Sequence, residues 1–256
     1  KGALIYIAQI HPAVAHATSR VCTLMARPTH RSYACAKRIL AWLVDHVDLG
    51  VVYGAPHLRC LADLAPRGEA QLPMSASRDW SLAATCDSDL TGRSLDKLTA
   101  EEAAQSPPDR NSGRSQLGFE VSIAGGCLFG VSRRQHSVAL DTAAAELFAA
   151  STCACSLISI AGVLRFASFA ELGDHVIPIW CDNDACVTVA RDASSIKRLA
   201  YVARRVRFLQ ELEGHVSKMH PVPGTANPAD AFTKHLAKPT FKQYMARLYN
   251  VSPDVF

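Results

Sequence analysis

Apolar positions along this chain recur with two different periods, and the change from one to the other marks out its elements. Through the first 50 residues the spacing is helical. Thr29 is placed to cap a helix whose apolar positions Tyr33, Ala36, Leu40, Leu43 and Val47 follow the 3.6 period, with Gly50 as its stop. From Ala55 to Arg78 the period fades and Pro56, Pro66, Gly68 and Pro73 intervene, which predicts a linker. Ser81 to Cys86 then reads as a short buried strand closing in Asp87-Ser88-Asp89. The polar stretch Thr91 to Gln116, with Pro107-Pro108 and Asn111-Ser112-Gly113, reads as a long surface loop. Leu117 to Ala124 and Cys127 to Arg133 flank Gly125-Gly126 and predict a hairpin.

Asp141 or Thr142 can cap a long helix to about Arg165, with Leu147, Ala150, Ala154, Leu157, Ala161 and Leu164 as its apolar stripe. Val176 to Cys181 is the next strand and ends in Asp182-Asn183-Asp184; Pro178 must sit near its start or at a sheet edge. A short helix to Ala190, a basic helix over Ile196 to Leu212 and a strand over Val216 to Val222 follow. Asn227-Pro228 opens a last helix with a capping residue and a proline at its first turn. Strand, hairpin, helix, strand, helices, strand, helix is the order of an α/β fold with a mixed sheet.

Composition narrows this picture only slightly. Of 256 residues, 49% are hydrophobic and 20% charged, the balance of a globular protein. A net charge of +4 permits a polyanionic partner without requiring one. No uninterrupted apolar run approaches about 20 residues. The densest stretch, Leu147 to Ala170, is broken by Ser, Thr, Gly and Arg165, so no membrane span is expected. The chain starts at Lys1 without the order of a secretion signal, as a piece of a longer protein would. Nine cysteines, an odd number with no CxxC pair, argue against zinc and for reduced, buried thiols.

The candidate chemistry is acidic. Asp87 and Asp182 each close an apolar strand, and ligands of open α/β sheets gather at the carboxyl ends of strands. Glu146 stands on the apolar face of the long helix, and Asp230 in the first turn of the last one. Four clustered carboxylates repel one another, and divalent cations with oxygen ligands relieve that repulsion. Two such ions support in-line phosphodiester cleavage. Each residue also has a purely structural reading. Asp87 can end a strand in a turn, and Asp182 can cap the next helix. Asp230 can favour the positive end of its helix, and Glu146 can face solvent or reach toward Arg165.

Several motifs join these residues into one family pattern. Ala84-Thr85-Cys86-Asp87-Ser88-Asp89 resembles the first strand and aspartate of Copia-type retrotransposon ribonuclease H domains. Val138-Ala139-Leu140 and Ala145-Glu146-Leu147-Phe148-Ala149 resemble the segment around that family's catalytic glutamate. Ile179-Trp180-Cys181-Asp182-Asn183 resembles its third acidic motif. Val222-Pro223-Gly224-Thr225, Asn227-Pro228-Ala229-Asp230 and Phe232-Thr233-Lys234 resemble its final strand, loop and helix. Gly2 to Ala8 with His11-Pro12, and Ala36 to Leu40 through Leu49 to Tyr53, resemble the end of a Copia reverse transcriptase. The chain departs from the family in Asp141-Thr142-Ala143-Ala144, where serines and a glutamate are usual, and in a longer loop after Asp89.

The resemblance implies a ribonuclease H-like mixed five-stranded sheet flanked by helices, preceded by a small helical reverse-transcriptase remnant. It divides the chain into a thumb- or connection-like remnant at 1–55, a linker at 56–79, the ribonuclease H-like domain at 80–238 and a tail helix at 239–256. It implies that Asp87, Glu146, Asp182 and Asp230 hold two Mg²⁺ or Mn²⁺ ions and hydrolyse the RNA strand of an RNA–DNA hybrid, leaving a 3′-hydroxyl and a 5′-phosphate. Asn183 would orient the substrate backbone, or else cap a helix. Lys197, Arg198, Arg204, Arg205 and Arg207 would follow the phosphates, or else form a solvated face. The implied partners are the hybrid and the rest of the Pol polyprotein, at work in a cytoplasmic particle, the nucleus or both. The alternative is an inactive nucleic-acid-binding or structural module on the same fold.

Overall fold

A computed structural model describes residues 2–25, 28–54, 82–90, 113–169, 175–192 and 201–256. The proposed linker, most of the long loop, Lys197 and Arg198 lie outside the described residues. Three helices come first: α1 (Gly2–Ile10), α2 (Pro12–Thr23) and α3 (His30–Asp45). Strands β1 (Leu82–Asp89), β2 (Gln116–Ile123) and β3 (Gly126–Arg134) lead into the long helix α4 (Thr142–Phe166). Strand β4 (Ile177–Cys181), helices α5 (Asp184–Arg191) and α6 (Ala203–Leu212), and strand β5 (Ser217–Pro221) follow. Two 3₁₀ turns, Gly224–Ala226 and Pro228–Phe232, precede the last helix, α7 (Lys238–Tyr249).

The strands form one sheet in the order β3-β2-β1-β4-β5. Strands β1, β2 and β3 run antiparallel to their neighbours, while β1, β4 and β5 run parallel. This is the mixed five-stranded sheet expected, α/β in class. The hairpin turns one residue earlier than the glycine pair suggests. Ile123 pairs with Gly126, and Ala124 and Gly125 make the turn with φ of 50° and 81°. Two left-handed residues in succession give the turn the twist that joins two strands tightly. Pro178 lies where the sequence requires it. Pairing of β4 with β1 begins only at Ile179, so the missing N–H of Pro178 breaks no bond to that neighbour.

Helix α4 packs on one face of the sheet. Asp141 caps it, its Oδ1 accepting from the Ala144 N–H at 2.7 Å. Ala144, Ala145, Ala149, Ala150, Ala154 and Ala161 lie in the interface, and such small side chains let helix and sheet approach closely. By length and composition this helix could cross a membrane, contrary to what its interruptions suggest. Half of that apolar window is packed against the protein, as in a core helix.

The other face of the sheet carries a second core. It joins Ala8, Val14 and Ala15 of α1 and α2, Ile39 of α3, Phe232, and Tyr244, Met245, Leu248 and Tyr249 of α7. Segments read separately from the sequence thus share one interior. In α3 the expected stripe is one position out of phase. Thr29 does cap the helix, in a box with Ser32, but Ser32 and Ile39 are its buried residues. Tyr33, Leu40 and Val47 face solvent. The helix ends at Asp45, so Val47 lies beyond it.

Glu120, in β2, is buried, and among the described residues Thr85 Oγ1 is the donor to it, at 3.3 Å. Burial raises its carboxyl to about 7, against the opposing pull of Arg247. Because the folded value exceeds the unfolded one, near 4.3 for a free glutamate, its stabilising contribution is full below pH 4 and is lost as pH rises through 7. Glu120→Gln does not titrate. Its stability relative to wild type should climb between pH 4 and 8, reaching of order 3 kcal/mol in urea titrations at each pH.

Candidate metal centre

The sheet splits where the acidic residues stand. Strands β1 and β4 pair in parallel only through Ala84–Ile179, Thr85–Trp180 and Cys86–Cys181. The next residue on each is Asp87 and Asp182. Strand β1 continues alongside β2 to Asp89, three residues past the end expected from its apolar run, while β4 stops. Asn227 fills the fork: its Nδ2 donates to the Cys86 carbonyl at 2.9 Å, and its Oδ1 caps the 3₁₀ turn at Ala229. That turn, not the longer helix expected after Pro228, carries Asp230.

Carboxylate oxygens of Asp87, Asp182 and Asp230 lie within 4.8 Å of one another. Asp87 is buried and the other two are half-buried. Glu146, in the second turn of α4, reaches the same place from beneath the sheet. Its Oε1 accepts from the Ser88 N–H at 3.2 Å, and the Cys181 thiol points to its Oε2 at 3.8 Å. Oxygens of Glu146 and Asp182 and the Cys181 sulfur form a second group within 4.8 Å. The structure thus brings together all four carboxylates singled out in the sequence.

Burial and mutual repulsion raise Glu146, Asp182 and Asp230. Burial first, then Cys181, and after it the charges of Asp87 and Asp182, raise Glu146 well above the usual carboxylate range. Asp182 is raised to about 6, by burial and then by Asp87. Asp230 is raised to about 7 by the same two causes, with Lys234 opposing. An oxygen-rich pocket whose acids resist ionisation alone is a donor set that fits a hard divalent cation.

Sequence reasoning quoted Thr233 and Lys234 as part of a motif but gave them no part in the site. The Thr233 hydroxyl donates to Asp87 Oδ2. Lys234 Nζ is 3.1 Å from Asp87 Oδ1 and 2.6 Å from Asp230 Oδ1.

The remaining expected residues are dispersed. Asn183 caps α5, its Oδ1 accepting from the Cys186 N–H at 2.9 Å, so the cap that Asp182 might have supplied belongs to its neighbour. Arg205 lies over the Phe148 ring and donates to Ser151 Oγ at 2.7 Å, which ties α6 to α4. Arg204 and Arg207 point to solvent.

No family model matches the chain. It is 26% identical over 137 residues to a retrovirus-related Pol polyprotein from transposon TNT 1-94 of Nicotiana tabacum, a match spanning 52% of this chain. The match covers 10% of the length of that polyprotein. This likeness to the Pol polyprotein of a transposon bears out the resemblance read from the motifs. Among solved structures, the chain is similar to LC11 ribonuclease H1 in complex with an RNA/DNA hybrid (12% identity, TM-score 0.38, 60% of this chain and 94% of the other). It is also similar to an N-terminal ribonuclease H domain from Mycobacterium tuberculosis (13%, 0.38, 64% and 96%). A third is ribonuclease H1 of Halobacterium salinarum (16%, 0.36, 60% and 94%).

Gly118 of β2 stands opposite Asp87 of the neighbouring strand β1. A methyl group there would come within 2.6 Å of Phe232 Cβ, 2.7 Å of Thr233 Cγ2 and 3.2 Å of the Ala229 carbonyl. Gly118→Ala must therefore lift the turn that carries Asp230. We expect a loss of about 1–3 kcal/mol in thermal unfolding together with weaker Mn²⁺ binding by calorimetry.

Proposed function

We propose that this chain carries the ribonuclease H activity of a Copia-type Pol polyprotein, hydrolysing the RNA strand of RNA–DNA hybrids during reverse transcription. The observation that carries this reading is the meeting of Asp87, Asp182 and Asp230 within 4.8 Å, with Glu146 beside Asp182. Asp87, Glu146, Asp182 and Asp230 would hold two Mg²⁺ or Mn²⁺ ions. When bound, such ions supply Lewis-acid stabilisation to the charge that builds on a phosphate during in-line displacement.

The protein's own part is to place and insulate these groups. The sheet fork fixes Asp87 and Asp182 on adjoining strands, and Asn227 locks the turn that brings in Asp230. Glu146 is assigned to sense the ribose 2′-hydroxyl, the group that separates RNA from DNA. Arg204 and Arg207, with Lys197 and Arg198, are assigned to the phosphates, where each contact adds a salt-sensitive, sequence-independent increment. Arg205 contributes charge to that face while serving as a strut to α4. Asn183 is held as a cap, which limits its substrate role to its amide nitrogen. The partners would be the hybrid and the reverse transcriptase of the same polyprotein, in a cytoplasmic particle or the nucleus.

A second reading has one specific observation behind it. The Lys234 ammonium already pairs with two of the four carboxylates, as a cation-free binding module would need. A labelled hybrid separates the two. Catalysis requires Mg²⁺-dependent loss of the RNA strand, with Asp87→Asn slowing it by about 100-fold or more. Hybrid binding without cleavage, unaltered by that substitution, would establish the inactive module.

A further inference from the structure

Lys234 occupies the ground that a cation would take. Its ammonium bridges Asp230 at 2.6 Å and Asp87 at 3.1 Å, and these are two of the three aspartates whose oxygens meet within 4.8 Å. The Asp87 side chain is 1% exposed. An isolated carboxylate so buried is strongly destabilising unless it is paired and hydrogen-bonded. Both of its oxygens are satisfied by consecutive residues of one turn, Thr233 on Oδ2 and Lys234 on Oδ1. The Lys234 side chain as a whole is 38% exposed. A long, flexible stem on a partly exposed residue can swing away without unfolding anything. On a plain helical surface an acid and a lysine four apart contribute only a few tenths of a kcal/mol. Here the lysine also grips a carboxylate from another part of the chain, and that second contact makes it part of the cluster.

We propose that Lys234 is a tethered counter-cation. It holds the acidic cluster together in the absence of divalent ions, and it gives up Asp87 and Asp230 when they bind. This rests on the reading of the cluster as a metal centre. The exchange has a definite sign. A positive charge about 3 Å from two ligand carboxylates opposes a divalent ion and competes for the same oxygens. Removing it must strengthen divalent-ion binding while weakening the cation-free protein. A lysine that merely assembles the ligands would do the reverse, since its loss would scatter them and weaken ion binding.

The test uses the full chain with Mn²⁺ as the probe, and compares wild type, Lys234→Met, Lys234→Arg and Asp87→Asn. Lys234→Met should bind Mn²⁺ about tenfold more tightly or better, by calorimetry or electron paramagnetic resonance. It should also melt at a lower temperature in a chelator and gain more from Mn²⁺ than wild type. Lys234→Arg should restore the melting temperature in the chelator and bind Mn²⁺ no more tightly than wild type. A second measurement needs no variant. Acylation of Lys234 in wild type, followed by peptide mass spectrometry, should be slow in the chelator and accelerate on adding Mg²⁺. Unchanged or weaker Mn²⁺ binding by Lys234→Met, or acylation that Mg²⁺ leaves unchanged or slows, overturns the proposal. If wild type binds Mn²⁺ and Asp87→Asn does not, such a result removes the counter-cation alone. If wild type itself binds no Mn²⁺, the metal reading of the cluster falls and the exchange falls with it.

Discussion

Like charges forced together at the fork between β1 and β4 are the constraint around which the rest of this structure is arranged. Two unit charges 4 Å apart repel by about 4 kcal/mol at an effective dielectric near 20. Three aspartates meet within 4.8 Å and a buried glutamate adjoins one of them. Such a cluster survives folding only if its members stay partly protonated or are matched by positive charge. Both devices are present. Glu146, Asp182 and Asp230 are all raised, each by burial first. Partial burial alone would lower the Lys234 ammonium, but Asp87 and Asp230 outweigh it and hold it above the usual lysine range.

The topology supplies the convergence that the charges oppose. Parallel pairing of β1 and β4 in register, Cys86 beside Cys181, makes the following residues neighbours at the point where the strands part. The helix between the hairpin and β4 then delivers Glu146 from the opposite face of the sheet. The 3₁₀ turn delivers Asp230 from the other side, and that turn is braced from behind. Both the His16 imidazole of α2 and the Ser132 hydroxyl of β3 contact the Phe232 carbonyl. His16 is lowered to about 4, by burial and then by His235, so it stays neutral as a brace against a backbone carbonyl should. The N-terminal helices, outside the strand pattern altogether, therefore bear on the geometry of the site.

Much of this was legible in the chain because the governing signals are local. The five strands, the Asp141 cap and the Thr29 cap each announce themselves within a few residues. Asp87 and Asp182 were legible for the same reason, as acids closing apolar runs. The phase of α3 was not, because Tyr33 and Leu40 are apolar yet exposed, and the helix buries Ser32 instead of a larger neighbour. The short turn after Asn227 reads as a full helix because its cap and proline are common to both. What decides against the helix is the packing of Phe232 beneath Gly118 and Gly130, visible only once the sheet exists.

Lys234 is the sharpest case of information that the chain withholds. Its partner Asp230 lies only four residues earlier in the chain. Asp87 lies in a different element and meets Lys234 only through the whole fold. The meaning of the residue changes with that second contact: one carboxylate makes an ion pair, and two make a site already holding positive charge. The same logic separates the arginines of α6. All three look alike in the sequence, yet Arg205 is bound to Ser151 and laid over Phe148 while Arg204 and Arg207 remain in solvent. A polyanion approaching this helix would therefore meet two exposed charges and one held against α4. In both places the charge can be counted from the chain, but whether it is free to act is a property of what packs against it.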